Sequence, residues 1–133
     1  MLEHPISLRW SDVDAYQHVN NARYLTYLEE GRDRWYEETV ASVEGATDFV
    51  LVRVAIDFRR ELTLQDTELL VKVRPIKLGR SSVTTSEEVW SVTRNFLAAE
   101  AESVMVAHDP QARTSRKLSP AERDALEIAI AAG

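Results

Sequence analysis

Two helical and five strand-like stretches can be read from the alternation of apolar and polar positions. Ile6, Leu8 and Trp10 alternate with Ser7 and Arg9, the period of a short strand with one buried face. Past a polar bend the period changes. From Asn21 to about Thr39, Leu25, Leu28 and Trp35, with Tyr24, Gly31 and Arg32 alongside, recur at intervals of three and four and predict one long amphipathic helix. Asn20 and Asn21 at its start are good N-cap types, because a short side-chain oxygen accepts from the orphan N–H groups of the first turn. Phe49 to Phe58 is nearly continuous apolar, with Val50, Val52, Val54, Ile56 and Phe58 on one face. Such a run predicts a central strand covered on both sides, here by the helix and by a partner subunit.

Arg59, Arg60 and Glu61 break that run. Thr67 to Lys77 then alternates Leu69, Val71 and Val73 against Lys72 and Arg74, and Pro75 weakens this strand near its end or marks a bulge. Leu78-Gly79 is a turn before a fourth strand, Arg80 to Val92, and Thr93-Arg94-Asn95 a second turn before a fifth, Phe96 to His108. Asp109-Pro110 stops the fifth strand and a polar linker runs to Leu118. Ser119-Pro120-Ala121-Glu122 is a capping box with proline at the first helical position. The thin stripe of Leu126 and Ile130 behind it predicts a short, loosely docked helix. One helix followed by antiparallel strands with hairpin-length connections is an α+β plan, a sheet wrapped around one helix.

Composition narrows the chemistry. The 133 residues suit one domain, residues 1–133, with a single core. Without cysteine there is no disulfide framework, thiolate nucleophile or cysteine-ligated zinc site. A net charge of −6 argues against nucleic acid as a partner. No stretch has the length of a signal peptide's apolar region or a membrane span, so a cytoplasmic protein with no membrane partner is expected.

The candidate chemistry sits between Trp10 and Arg32, WSDVDAYQHVNNARYLTYLEEGR. Asp12 and Asp14 precede a helix whose N-terminal end carries about half a positive charge and several aimed N–H donors. A carboxylate opposite an oxyanion hole suits attack on an acyl carbonyl: Asp14 can deprotonate water or attack the carbonyl itself, and the residues leave both routes open. The plain alternative for Asp14 is a turn former before a helix. Asp12 is expected to be structural, bonded near the strand end. His18 can bond the catalytic carboxylate or water, or tie the loop through its backbone. Tyr24 can reach the site, whereas Tyr27 is expected in the core. Trp35 and Phe58 could line an apolar tunnel, although apolar residues there are more often core. No carboxylate and histidine grouping has metal-ligand spacing, so no metal is expected.

The segment DVDAYQHVNNARYLTYLEEGR resembles the signature of the hotdog-fold acyl-CoA thioesterases, of the 4-hydroxybenzoyl-CoA thioesterase type and closest to the long-chain acyl-CoA thioesterase branch. The resemblance implies the hotdog fold, a homodimer or homotetramer with the active site at the dimer interface, an acyl-CoA substrate, and no cofactor, coenzyme A being part of the substrate. It implies Asp14 as the catalytic aspartate and a backbone N–H near Asn21 as the oxyanion donor. It also supports Lys77 and Arg80 as phosphate ligands, the plain alternative being an exposed, solvated turn. Ser81 in the Gly79–Ser82 turn offers a hydroxyl beside that guanidinium, and Arg59 and Arg60 are further cationic candidates. Three rivals remain: acyl carrier protein as the acyl donor, a hydratase or dehydratase on the same fold, and an acyl-CoA-binding protein without turnover.

Overall fold

In the computed structural model, which describes residues 1–133, β1 (Leu2–Ser7), β2 (Phe49–Phe58), β3 (Glu68–Leu78), β4 (Ser82–Ser91) and β5 (Phe96–Asp109) form the sheet. They pair antiparallel in the order β1-β3-β4-β5-β2, and a short β6 (Thr114–Ser115) pairs with the end of β5. α1 (Asn21–Thr39) lies across β1, β3 and β4. α2 (Pro120–Ala132) packs on β3. This is the α+β plan of a sheet curved around one helix.

The core follows from the alternation. Leu69, Val71 and Val73 of β3, Val83 and Val89 of β4 and Ala99 and Met105 of β5 turn toward α1, which buries Tyr24, Tyr27, Leu28 and Trp35 against them. Gly31 permits the close approach: a Cβ there would lie 2.5 Å from a Val71 methyl, too near for any side chain. Leu25, placed on the same face by its spacing, is instead 43% exposed. One polar pin crosses the core. Arg32 donates to Glu87 at 3.1 Å and to Ser103 at 3.2 Å, and Thr85 donates to Glu87 at 2.7 Å. Burial pushes the Glu87 carboxyl up, against the opposing pull of Arg32 and the two hydroxyls.

Three expectations change and one is met. The first strand stops at Ser7, and Trp10–Asp12 is a 3₁₀ turn that leaves Trp10 82% exposed. β2 is an edge strand paired only with β5, not a central one; of its apolar face, Val54 and Ile56 meet the core while Val50, Val52 and Phe58 stay exposed. Pro75 does mark a bulge, between Pro75 and Lys77. α2 is anchored more firmly than its thin stripe implies. Leu126 and Glu122 are fully buried, and Arg116 grips the Glu122 carboxylate at 2.6 and 2.8 Å while also donating to Thr47.

Candidate active site

Asp14 opens a tight hairpin. Its N–H donates to the His18 carbonyl and its carbonyl accepts from the Gln17 N–H, each at 2.9 Å, while Val13 and Val19 bridge behind it. Closing so short a loop puts Gln17 at φ 66°, in the left-handed region. One carboxylate oxygen of Asp14 accepts from the Tyr16 N–H at 2.9 Å, the turn-forming bond its residue type favours. The other oxygen is uncommitted within the chain, and the side chain is half-buried. The turn former and the candidate base are thus the same residue, using different oxygens.

The mouth of α1 is the second component. Asn20, not Asn21, is the N-cap: its side chain accepts from the Ala22 N–H at 2.9 Å and its carbonyl from the Arg23 N–H at 2.8 Å. The Asn20 N–H itself donates to the Asp12 carbonyl at 2.9 Å. That accounting leaves the Asn21 N–H as the free donor of the first turn, at the positive end of the helix dipole.

Asp12 is fully buried and accepts from the Tyr27 hydroxyl, the Arg9 N–H and the Arg9 guanidinium. Burial alone would push its carboxyl up. The bonds from Tyr27 and Arg9 outweigh burial and hold it below the ordinary carboxylate range.

His18 reaches outward and pairs through Nε2 with Glu61, while its backbone bridges to Thr63. Glu61 escapes the sequence reading, where it serves only to interrupt an apolar run; a contact between residues so far apart in the chain leaves no mark in either local pattern. Beside this pair, Tyr16, Gln17, His18, Thr63, Leu64 and Gln65 line an open depression of about 360 Å³. Tyr24 is buried with its ring edge-on to Phe58 at 5.0 Å, and burial pushes its hydroxyl up to about 12. Trp35 lies in the core. A larger groove of about 560 Å³ lies between the second half of α1 and the start of β2, walled by Tyr36, Phe49, Leu51 and Met105 with Arg32, Asp33 and His108 among its polar lining.

The basic candidates do not gather in one chain. Arg59 is paired with Glu100 at 2.8 Å on the outer surface of the sheet. Arg60 stacks over the Phe96 ring at 4.2 Å, at the Asp14 end of the sheet. Lys77, Arg80 and Ser81 stand at the opposite end, separated from the Asp14 hairpin by the length of β3, roughly 33 Å at 3.3 Å per residue.

Comparison with known proteins gives a consistent picture. The profile of the thioesterase-like superfamily matches residues 8–128. The long-chain acyl-CoA thioesterase FadM of Escherichia coli is 32% identical over 126 residues, covering 92% of this chain and 94% of that protein. Among solved structures, a thioesterase from Thermus thermophilus complexed with coenzyme A and Zn is 28% identical with a TM-score of 0.80, over 93% of this chain and 95% of that one. YbaW from Escherichia coli is 27% identical with a TM-score of 0.78, over 98% and 99%.

Proposed function

Because the chain belongs to the thioesterase-like superfamily, we propose that this thioester hydrolase acts on acyl-CoA, releasing free acid and coenzyme A at the Asp14 hairpin. One observation carries the reading: an uncommitted Asp14 oxygen and a free Asn21 N–H lie on the two limbs of the same loop. In the general-base route, Asp14 takes a proton from water as the oxygen attacks the thioester carbon. The carbonyl oxygen becomes an oxyanion that accepts from the Asn21 N–H, the C–S bond breaks, and the protonated Asp14 returns the proton to the leaving thiolate. In the nucleophilic route Asp14 attacks the thioester carbon, the C–S bond breaks to release coenzyme A thiolate, and water then opens the mixed anhydride to the free acid and the Asp14 carboxylate. His18 pairs with Glu61 beside the same hairpin, and Tyr24 packs on Phe58 and Tyr27. The reaction uses no cofactor, and the location that fits it is the cytoplasm.

The groove between α1 and β2 suits the acyl group. It begins about 12 Å along α1 from Asn21 at 1.5 Å per residue. It is also open on the side of the β2 edge, where ten residues keep one row of backbone groups unpaired beside exposed Val50, Leu51 and Val52. Such an edge needs cover, and an antiparallel pairing of two β2 edges about a twofold axis supplies it. The same pairing sets the Asp14 end of one copy beside the other end of its partner. Arg60 from one copy and Lys77, Arg80 and Ser81 from the other then flank one coenzyme A.

The test is a hydrolysis screen over short, medium, long and aromatic acyl-CoAs with free thiol as the readout, run on wild type and Asp14→Asn. Turnover of at least one acyl class, abolished by the substitution in a protein that still forms dimers, is the expected result. An unchanged rate in Asp14→Asn would refute the assignment. Binding without turnover at every acyl length would make this an acyl-CoA-binding protein. Running the preferred acyl group on both coenzyme A and acyl carrier protein settles the donor.

A further inference from the structure

The hairpin that carries Asp14 is a small body tied to the rest of the chain through its two limbs. Its own bonds are internal, from the Asp14 N–H to the His18 carbonyl, from the Gln17 N–H to the Asp14 carbonyl and from the Tyr16 N–H to the Asp14 carboxylate. On the far limb, the Val19 N–H donates to the Leu62 carbonyl at 2.8 Å, while His18 bridges to Thr63 through its backbone and pairs with Glu61. On the near limb the Val13 N–H donates to the Trp10 carbonyl at 3.3 Å, and the ties to α1 come from Asp12. Its carbonyl takes the Asn20 N–H, one residue before the free donor, and its carboxylate takes the Tyr27 hydroxyl at 2.7 Å from the second turn of α1. The same carboxylate is fixed by the Arg9 N–H and guanidinium, each at 3.1 Å, and the Arg23 guanidinium stands 3.8 Å away.

We infer that Asp12 and Tyr27 form a latch that sets the separation between the Asp14 carboxylate and the Asn21 N–H, making both of them positioning residues for the reaction. The inference rests on the hydrolase reading for its consequence in turnover, and on geometry for the latch itself.

Stability alone does not explain the arrangement. A fully buried carboxylate surrounded by donors offers no general advantage over apolar packing of similar volume. What it adds is direction. Its donors come from before the hairpin and from the helix, so the two bodies cannot slide past each other without breaking a charge-assisted bond. Burial, and then the bond to Asp12, push the Tyr27 hydroxyl far above its ordinary range, so it remains a donor at any working pH. The reacting groups lie on either side of this latch, and a displacement of about 1 Å at such a site can cost on the order of 10²-fold in rate.

Tyr27→Phe removes one oxygen and keeps the packed ring. The expected outcome is a fall in kcat of roughly 10-fold with KM within about twofold, because the latch does not touch substrate. Asp12→Asn keeps the side chain's shape and should fall at least as far. The double variant should lose less than the product of the single losses, as expected of two groups acting through one bond. Ser119→Ala, which removes the cap of α2 at the other end of the molecule, should lower Tm while leaving kcat unchanged. If Tyr27→Phe and Asp12→Asn behave like Ser119→Ala, the latch is merely structural and the inference is overturned.

Amide spectra of ¹⁵N-labelled protein read the geometry without turnover. In Tyr27→Phe the resonances of Asp14 to Asn21 should shift together while those of α2 stay in place. Unshifted hairpin amides would overturn the latch even in an active enzyme. Shifted amides in a protein that hydrolyses no acyl-CoA would support the latch and sink the hydrolase reading alone.

Discussion

The two ends of the sheet treat their polar groups differently. At the α2 end the buried polar groups are fully bonded: Arg116 holds the Glu122 carboxylate, Thr47 and the Lys117 carbonyl, and Ser119 serves both the Glu122 N–H and the Glu44 carbonyl, with exposed cations such as Lys77 and Arg80 left over. At the Asp14 end, bonding capacity is left over. One oxygen of Asp14 and the N–H of Asn21 have no partner, Gln17 sits at positive φ, and Tyr16 is 82% exposed. Buried polar groups so fully bonded at one end, set against an Asp14 oxygen and an Asn21 N–H without partners at the other, are what favours the second end for the proposed reaction.

The largest effect expected is on turnover at the Asp14 end. Asp14→Asn preserves the acceptor for the Tyr16 N–H, so the hairpin should fold and Tm should hold, while the rate of acyl-CoA hydrolysis falls by about 10³-fold, or ~4 kcal/mol in the barrier. Steady-state kinetics beside a thermal melt checks it. A drop in Tm that accounts for the lost activity would erase the contrast between the ends.

At the α2 end the reverse is expected. Arg116→Met strands the fully buried Glu122, whose carboxyl burial pushes up and Arg116, with the Ser119 N–H, pulls below its ordinary range. Unfolding by denaturant should show a loss of about 3 kcal/mol, the usual consequence of breaking a buried pair from one side. The kcat of the molecules that remain folded should not change.

These contrasts are only partly legible in the sequence. The strand alternation, the Pro75 bulge, the Ser119 capping box and the Asp14–Asn21 motif are local, and local spacing reveals them. The edge position of β2 is not local. An apolar run reads alike whether the protein's own strands or a second copy cover it, so Phe49–Phe58 passes for a central strand. Trp10 is misplaced by the pattern because alternation continues past Ser7, while the Asp12 bonds to Arg9 turn the chain into a 3₁₀ helix there. Lys77, Arg80 and Ser81 are recognisable by turn chemistry, which names a phosphate-binding residue type without saying which end of the sheet it occupies.

A pH titration sharpens the comparison, because the Asp14 end is not loose throughout. Asp66 is fully buried there, accepting both guanidinium bonds from Arg94 at 2.8 Å, the Ser91 hydroxyl at 2.6 Å and the Thr63 N–H at 2.9 Å. Burial would raise its carboxyl, but Arg94, Ser91 and Thr63 hold it down at about 2, against an ordinary 3.8. A carboxyl depressed by folding stabilises at pH values above its unfolded range, and that contribution is lost as pH falls through the folded value. About 2 kcal/mol should therefore disappear between roughly pH 4 and pH 2. Arg94→Met should remove most of this step, and unfolding curves at stepped pH show whether it does.

The smallest effect tests whether the two ends meet in one site. Arg80→Ala should raise KM for acyl-CoA by about fivefold, ~1 kcal/mol, and leave kcat within about twofold, since an exposed cation on a phosphate contributes little. The effect should fade at high salt. Within one chain Arg80 is far beyond reach of the Asp14 hairpin, so any change in KM calls for a second copy. Mixed dimers make the point sharper. With Asp14→Asn in one subunit and Arg80→Ala in the other, an antiparallel pair assembles one doubly damaged site and one intact site, giving about half the wild-type kcat at the wild-type KM. With both substitutions in the same subunit, the sole remaining aspartate faces the altered turn, and KM rises. Identical KM values in the two dimers would mean that the ends do not share a site, and Arg60, already at the Asp14 end, would be left as the phosphate ligand.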